Sequence, residues 1–175
     1  DKEGVMGKRL HLTKGVHIVV PFSKLPIRQS VYFDVEKDNR MCFAIPRGNI
    51  TYIGTTDTFY DKNIDHPVAS REDVAYILDA INYMFPSVKL NVSDIESSWA
   101  GLRPLIHEEG KSPSELSRRD EIFYSDTGLI SIAGGKLTGY RKMAERVLNF
   151  VFKTMHTRSS SITKELKLSG GNFED

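Results

Sequence analysis

The run Gly134-Gly135-Lys136-Leu137-Thr138 concentrates more chemical capacity than any other stretch of the sequence. Paired glycines permit a tight turn and let a ligand approach the backbone closely. A helical pattern follows, and a helix start presents unpaired N–H groups and a partial positive charge. With Lys136 beside it, such a start stabilises an anion or an electron-rich carbonyl. The competing explanation is a plain strand-to-helix turn with a solvent lysine. Neither the Gly-x-x-x-x-Gly-Lys-Ser/Thr spacing of a P-loop nor a Gly-x-Gly-x-x-Gly turn occurs in the sequence.

Three arginines add to this. Arg103 stands between Leu102 and Pro104, where a charge is costly unless paired, so it is either an ion-pair partner or a ligand anchor. Arg118 and Arg119, followed by Asp120, form a basic pair that serves as a phosphate contact or as a solvated patch. His17 sits in the β-branched run of residues 16–20, on the face of Val19 if that strand is regular. It reads as a hydrogen-bonded core or edge histidine. His11, His66, His107 and His156 lack metal-site spacing, which argues against zinc. Residues 54–57, Gly-Thr-Thr-Asp, read as a local Asx or Ser/Thr turn or as the lining of a site. Cys42, the sole cysteine, lies in an apolar run and reads as a small buried hydrophobe rather than a reactive thiol.

These residues need a frame. Residues 16–20 are bounded by Gly15 and Pro21 and predict a strand. Residues 30–35, 41–45 and 50–54 follow with short connections, which favour antiparallel pairing, so residues 32–54 predict a meander with two hairpins. Ser70 and Asp73 form a capping pattern before Val74, Ile77, Leu78, Ile81 and Phe85, a single apolar helical stripe that Pro86 ends. Residues 92–99 predict another strand, and the polar residues 107–119 a surface loop. Residues 128–133 predict a strand that runs through the glycine turn into a second helix. Tyr140, Ala144, Val147, Leu148, Val151, Phe152 and Met155 mark that helix's expected buried face.

The sequence has 175 residues, 39% hydrophobic and 27% charged, a balance that suits a globular fold and excludes a disordered or fibrous chain. Its net charge of +1 offers no whole-chain field for nucleic acid, so anion binding must come from a local cluster. One cysteine excludes an internal disulfide and points to a reducing compartment. No apolar run approaches the ~20 residues of a bilayer span. The sequence opens on Asp1 rather than Met and reads as an internal piece of a longer protein.

Four stretches in order resemble the flavin-dependent glycerol-3-phosphate dehydrogenases and the related α-glycerophosphate oxidases. They are Lys14-Gly15-Val16-His17-Ile18-Val19-Val20-Pro21, Ile53-Gly54-Thr55-Thr56-Asp57, Gly101-Leu102-Arg103-Pro104-Leu105, and the run from Gly134 to Glu145. Gly139 departs from the pattern, standing where many relatives carry threonine. The resemblance implies an α+β fold: an antiparallel substrate-binding sheet with flanking helices over residues 10–127, the last strand, turn and helix of an FAD-binding domain over residues 128–155, and a linker or disordered tail over residues 156–175. It implies oxidation of sn-glycerol 3-phosphate to dihydroxyacetone phosphate by hydride transfer to FAD, with quinone, or oxygen in the oxidases, as electron acceptor.

His17 and Arg103 take the catalytic positions of that family, and the resemblance leaves open which of them accepts the proton. Arg119 and Lys136 match substrate-binding positions, and Gly134, Gly135, Lys136, Leu137 and Thr138 match cofactor-binding ones. The pyrophosphate turn and a further substrate arginine belong to an N-terminal FAD domain absent from this sequence, so the residues present are expected to be inactive and free of FAD alone. The resemblance further implies a cytoplasmic enzyme, peripheral on the inner face of the plasma membrane, with no nucleic-acid partner. A non-catalytic binding module that kept the fold is the alternative.

Overall fold

The computed structural model describes residues 8–108 and 120–171. Its architecture is α+β, and the chain divides into two compact units, His11–Pro104 on the one hand and Asp1–Leu10 with Leu105–Asp175 on the other.

The first unit is built on an antiparallel sheet. Strands β1 (Lys8–Pro21), β2 (Val31–Asp34), β3 (Met41–Arg47), β4 (Ile50–Gly54) and β5 (Thr58–Phe59) run in the order β2-β3-β4-β1-β5, and β6 (Ser97–Glu108) also pairs with β1. The expected meander is present as β2-β3-β4. Gly48, at φ +62, closes its second hairpin in the left-handed conformation that glycine adopts without strain. Along β1 the side chains alternate. Val16, Ile18 and Val20 are wholly buried with Ile53, Ala44 and Cys42 of the neighbouring strands, while His17 looks to the other face.

Helix α1 (Arg71–Met84) covers the buried face. Ser70 accepts a hydrogen bond from the Asp73 N–H, and the Asp73 carboxylate accepts one from the Ser70 N–H, completing the box that the sequence predicts. Ile77 and Ile81 are fully buried against the sheet, each worth roughly 1.5–3 kcal/mol of apolar burial. The same Asp73 carboxylate receives Lys14 Nζ of β1 at 2.5 Å, and Lys14 also donates to the Val68 carbonyl at 3.2 Å. Burial alone would raise the Asp73 pKa, but the Lys14 and Ser70 hydrogen bonds outweigh it and hold the carboxyl below its ordinary value. Residues 92–99 are not one strand, contrary to expectation. Val92–Asp94 forms a 3-10 turn, because Asn91 and Asp94 exchange side-chain and backbone hydrogen bonds that extended chain cannot make. Strand β6 starts only at Ser97 and reaches Glu108, past the expected start of the polar loop. The rest of that loop lies outside the described residues.

The second unit contains the antiparallel pair β7 (Glu121–Tyr124) and β8 (Ile130–Ala133), a 3-10 turn at Leu137–Gly139 and helix α2 (Tyr140–Thr154). Strand β7 was not expected, and β8 begins two residues later than predicted because Gly128, at φ +88, belongs to the turn between them. The helix follows its expected period but not its expected burial. Val147, Val151 and Phe152 are half-buried, whereas Tyr140, Ala144, Leu148 and Met155 are exposed. Periodicity fixes which residues share a face; it does not supply the surface that covers them, and no described residue covers these four. Residues 158–171 hold only turns, all exposed.

Candidate functional site

The sheet face opposite α1 carries the candidate chemistry. His17 lies across from Gly54 in the β1–β4 register, and its ring occupies the space a side chain at position 54 would take; a Cβ there would collide with the imidazole. Gly15, two residues earlier on the same face, likewise gives its side-chain space to the Arg103 guanidinium of β6. Two glycines thus let a histidine and an arginine lie flat against the sheet beside each other.

Arg103 is held by the segment after β4. Its guanidinium donates to Thr55 Oγ1 at 2.8 Å and to the Thr56 carbonyl at 3.2 Å, and it lies 3.4 Å from the Asp57 carboxylate. Arg40 donates to the Asp57 carbonyl at 2.6 Å and tethers the same segment. Residues 55–57 are therefore a clamp on Arg103 rather than a purely local turn. Arg103 is ion-paired but remains about a third exposed, so its charge still reaches the open face. On the buried face, Cys42 is fully enclosed and its thiol donates to the Gly54 carbonyl at 2.9 Å; burial pushes its pKa up to about 11, so it is the inert hydrophobe that its apolar run predicts.

The imidazole of His17 stacks on Trp99 of β6, with centroids 4.8 Å apart and planes 11° from parallel. Phe43 leans on it at 5.3 Å. Burial, and then the positive charge of Arg103, lower the His17 pKa below 6.5, which keeps the ring neutral near pH 7. Its Nδ1 is buried and has no hydrogen-bond partner among the described residues. Trp99 and Phe43 escaped the sequence reading. Strand alternation from Arg103 back through Gly101 to Trp99 puts the indole on the histidine's face and was the one available signal.

The second unit supplies the glycine turn. Gly134 and Gly135 both adopt left-handed φ, +80 and +85, and a Cβ on Gly135 would strike the Met143 sulfur. Lys136, Leu137 and Thr138 are exposed, and neither the 3-10 turn nor the helix that follows has a side-chain cap; instead the turn itself satisfies the helix start, since the Gly139 and Tyr140 N–H groups donate to the Lys136 and Leu137 carbonyls. On α2, Glu145 takes hydrogen bonds from Lys142 and Arg141, which together hold its carboxyl below its ordinary value. The structure thus brings His17 and Arg103 together in the first unit and puts Lys136 with Gly134, Gly135, Leu137 and Thr138 in the second. Arg118 and Arg119 lie outside the described residues. Among those described, no group of histidines, cysteines and carboxylates could hold a metal ion.

One unit thus carries a glycine-cradled histidine and arginine on an open antiparallel face, and the other a glycine turn leading into a helix. The FAD dependent oxidoreductase family matches residues 2–141, and the chain belongs to that family. Within it, the chain is 57% identical over 170 residues to the aerobic glycerol-3-phosphate dehydrogenase of Staphylococcus aureus (strain USA300). That alignment covers 94% of this chain and 30% of the relative, so the chain spans under a third of its length. Among solved structures it resembles a glycerol-3-phosphate dehydrogenase from Bacillus halodurans complexed with FAD, at TM-score 0.82 and 59% identity, over 94% of this chain and 31% of the other. Glycine oxidase from Bacillus cereus ATCC 14579 shares the fold at TM-score 0.52 and 18% identity, over 90% of this chain and 40% of the other.

Proposed function

We propose that this chain is part of a flavoprotein that oxidises sn-glycerol 3-phosphate to dihydroxyacetone phosphate and passes the electrons to a quinone. Residues 10–127 contribute the substrate-binding part and residues 128–155 the last strand and helix of the FAD-binding domain. The observation that carries this reading is the His17–Arg103 pair: a neutral imidazole and a clamped guanidinium side by side on one open face, each in the side-chain space of a glycine. The names of the relatives support the substrate.

Each residue has a task that its chemistry suits. Oxidation at C2 requires the C2 hydroxyl to lose a proton, and a positioned base lowers that barrier. The neutral His17 ring can accept it, and because Nδ1 is buried, Nε2 is the atom left to do so. Arg103 stabilises negative charge developing on the C2 oxygen, and its fixed clamp means that little reorganisation is needed at the moment of reaction. Arg119 and Lys136 hold the phosphate, the arginine through a fork that fits its oxygens. Gly134, Gly135, Lys136, Leu137 and Thr138 would hold the electron-rich edge of a flavin ring, the left-handed glycines by letting it approach the backbone closely and Lys136 by its charge. FAD, when bound, supplies the hydride acceptor.

A cytoplasmic location, with the parent peripheral on the inner face of the plasma membrane, belongs to the same proposal and rests on the family resemblance. No described helix is long and apolar enough to cross a membrane. The test is turnover of glycerol 3-phosphate by the flavin-loaded full-length protein. Arg103→Ala is expected to lower kcat/KM at least about tenfold, and near-normal kinetics would remove Arg103 from the site. Stoichiometric peroxide release in the same assay would replace the quinone by oxygen.

A further inference from the structure

We propose that Trp99 is a positioning residue for His17: the indole, stacked flat on the imidazole, sets the plane of the ring in place of a hydrogen bond. The inference rests on the proposed role of His17. A working histidine is ordinarily oriented through its second nitrogen, by a carboxylate or a carbonyl that fixes both tautomer and ring plane. His17 has no such partner at Nδ1 among the described residues. The rotation that swings an imidazole about its last side-chain bond is soft and broad, so something else must restrain it.

Three aromatic rings do so, closing a circuit with the imidazole. His17 stacks on Trp99 at 4.8 Å, Trp99 touches Tyr52 at 5.7 Å, Tyr52 meets Phe43 edge-on at 6.3 Å, and Phe43 leans back on His17 at 5.3 Å. Gly54 closes the remaining side, where the ring lies against bare backbone. Only Trp99 is near-parallel to the imidazole, at 11°, and a parallel plate restrains rotation where a tilted neighbour leaves play. Core filling does not account for the tryptophan, because it is 46% exposed. Arg103 is the charged group that acts on the imidazole from β6; Phe43, Gly54 and Trp99, the other groups against it, are neutral.

The experiment compares Trp99→Ala, Trp99→Leu and Trp99→Phe in the flavin-loaded full-length protein, beside His17→Asn. Loss of orientation is expected to lower kcat by about 10- to 100-fold in the alanine and leucine variants. KM should stay within about threefold, since the phosphate contacts are untouched, and phenylalanine should restore most of kcat because it keeps a flat plate. A second readout is the NMR signal of the His17 ring, which carries an upfield ring-current shift in the native and phenylalanine proteins and loses it in the other two. Its titration should also move up towards 6.5 as water reaches the ring. Leucine performing as well as phenylalanine, or alanine leaving kcat intact, overturns the proposal. If His17→Asn itself leaves kcat intact, the functional reading of His17 falls, and this role of Trp99 with it; if His17→Asn is inactive while Trp99→Ala is not, the positioning role alone falls.

Discussion

The two units solve the problem of burial differently. In the unit His11–Pro104, α1 closes over the sheet, Ile18, Ile53, Ile77 and Ile81 are sealed, and the buried Lys14 finds Asp73 at 2.5 Å. In the unit with Leu105–Asp175, helix α2 has a comparable apolar period and not one buried residue. Its charges pair along its own surface, Arg141 and Lys142 with Glu145, or with the edge of the hairpin, Arg146 with Asp120. The first unit therefore owes its stability to contacts it makes itself. The second presents an apolar stripe (Tyr140, Ala144, Leu148, Met155) that no described residue covers. Sequence amphipathicity alone does not separate the two cases.

The sharpest way to break this contrast is to remove the sealed charge. Lys14→Met leaves Asp73 buried and unpaired and should cost about 3–5 kcal/mol of stability. Urea unfolding followed by Trp99 fluorescence measures it within the first unit, since that residue is the sole tryptophan. A loss under about 1 kcal/mol would mean that the pair is solvated and the unit less closed than described. An intermediate effect belongs to the glycine turn. Gly135→Ala forces a side chain into left-handed φ against Met143 and should cost roughly 1–3 kcal/mol, read as a lowered melting temperature of α2 in far-UV circular dichroism. The smallest effect should come from the open helix face. Leu148→Ser is expected to shift stability by no more than about 0.5 kcal/mol, and a loss of about 2 kcal/mol would show that the residue is buried in solution.

The same contrast explains what could be read in the sequence. The α1 start was legible because Ser70 and Asp73 are three residues apart and satisfy each other locally. The meander was legible because short connections leave strands little choice of neighbour. Residues 92–99 were misread because a local Asn91–Asp94 hydrogen-bond exchange competes with extension and leaves no mark in the hydrophobic pattern. His17 and Arg103 could be nominated from their settings, but the clamp on Arg103 comes from residues 46 to 48 positions away and the plate on His17 from another strand. Contacts of that range depend on sheet order and register, which single-strand alternation does not encode.

Cys42 carries a practical corollary. With its sulfur wholly enclosed under Gly54 and its proton held to about pH 11, it cannot meet a thiol-reactive probe while the strands stay closed. The rate at which such a probe labels this chain is therefore a clock for the opening of the platform on which His17 rests, independent of any cofactor or substrate.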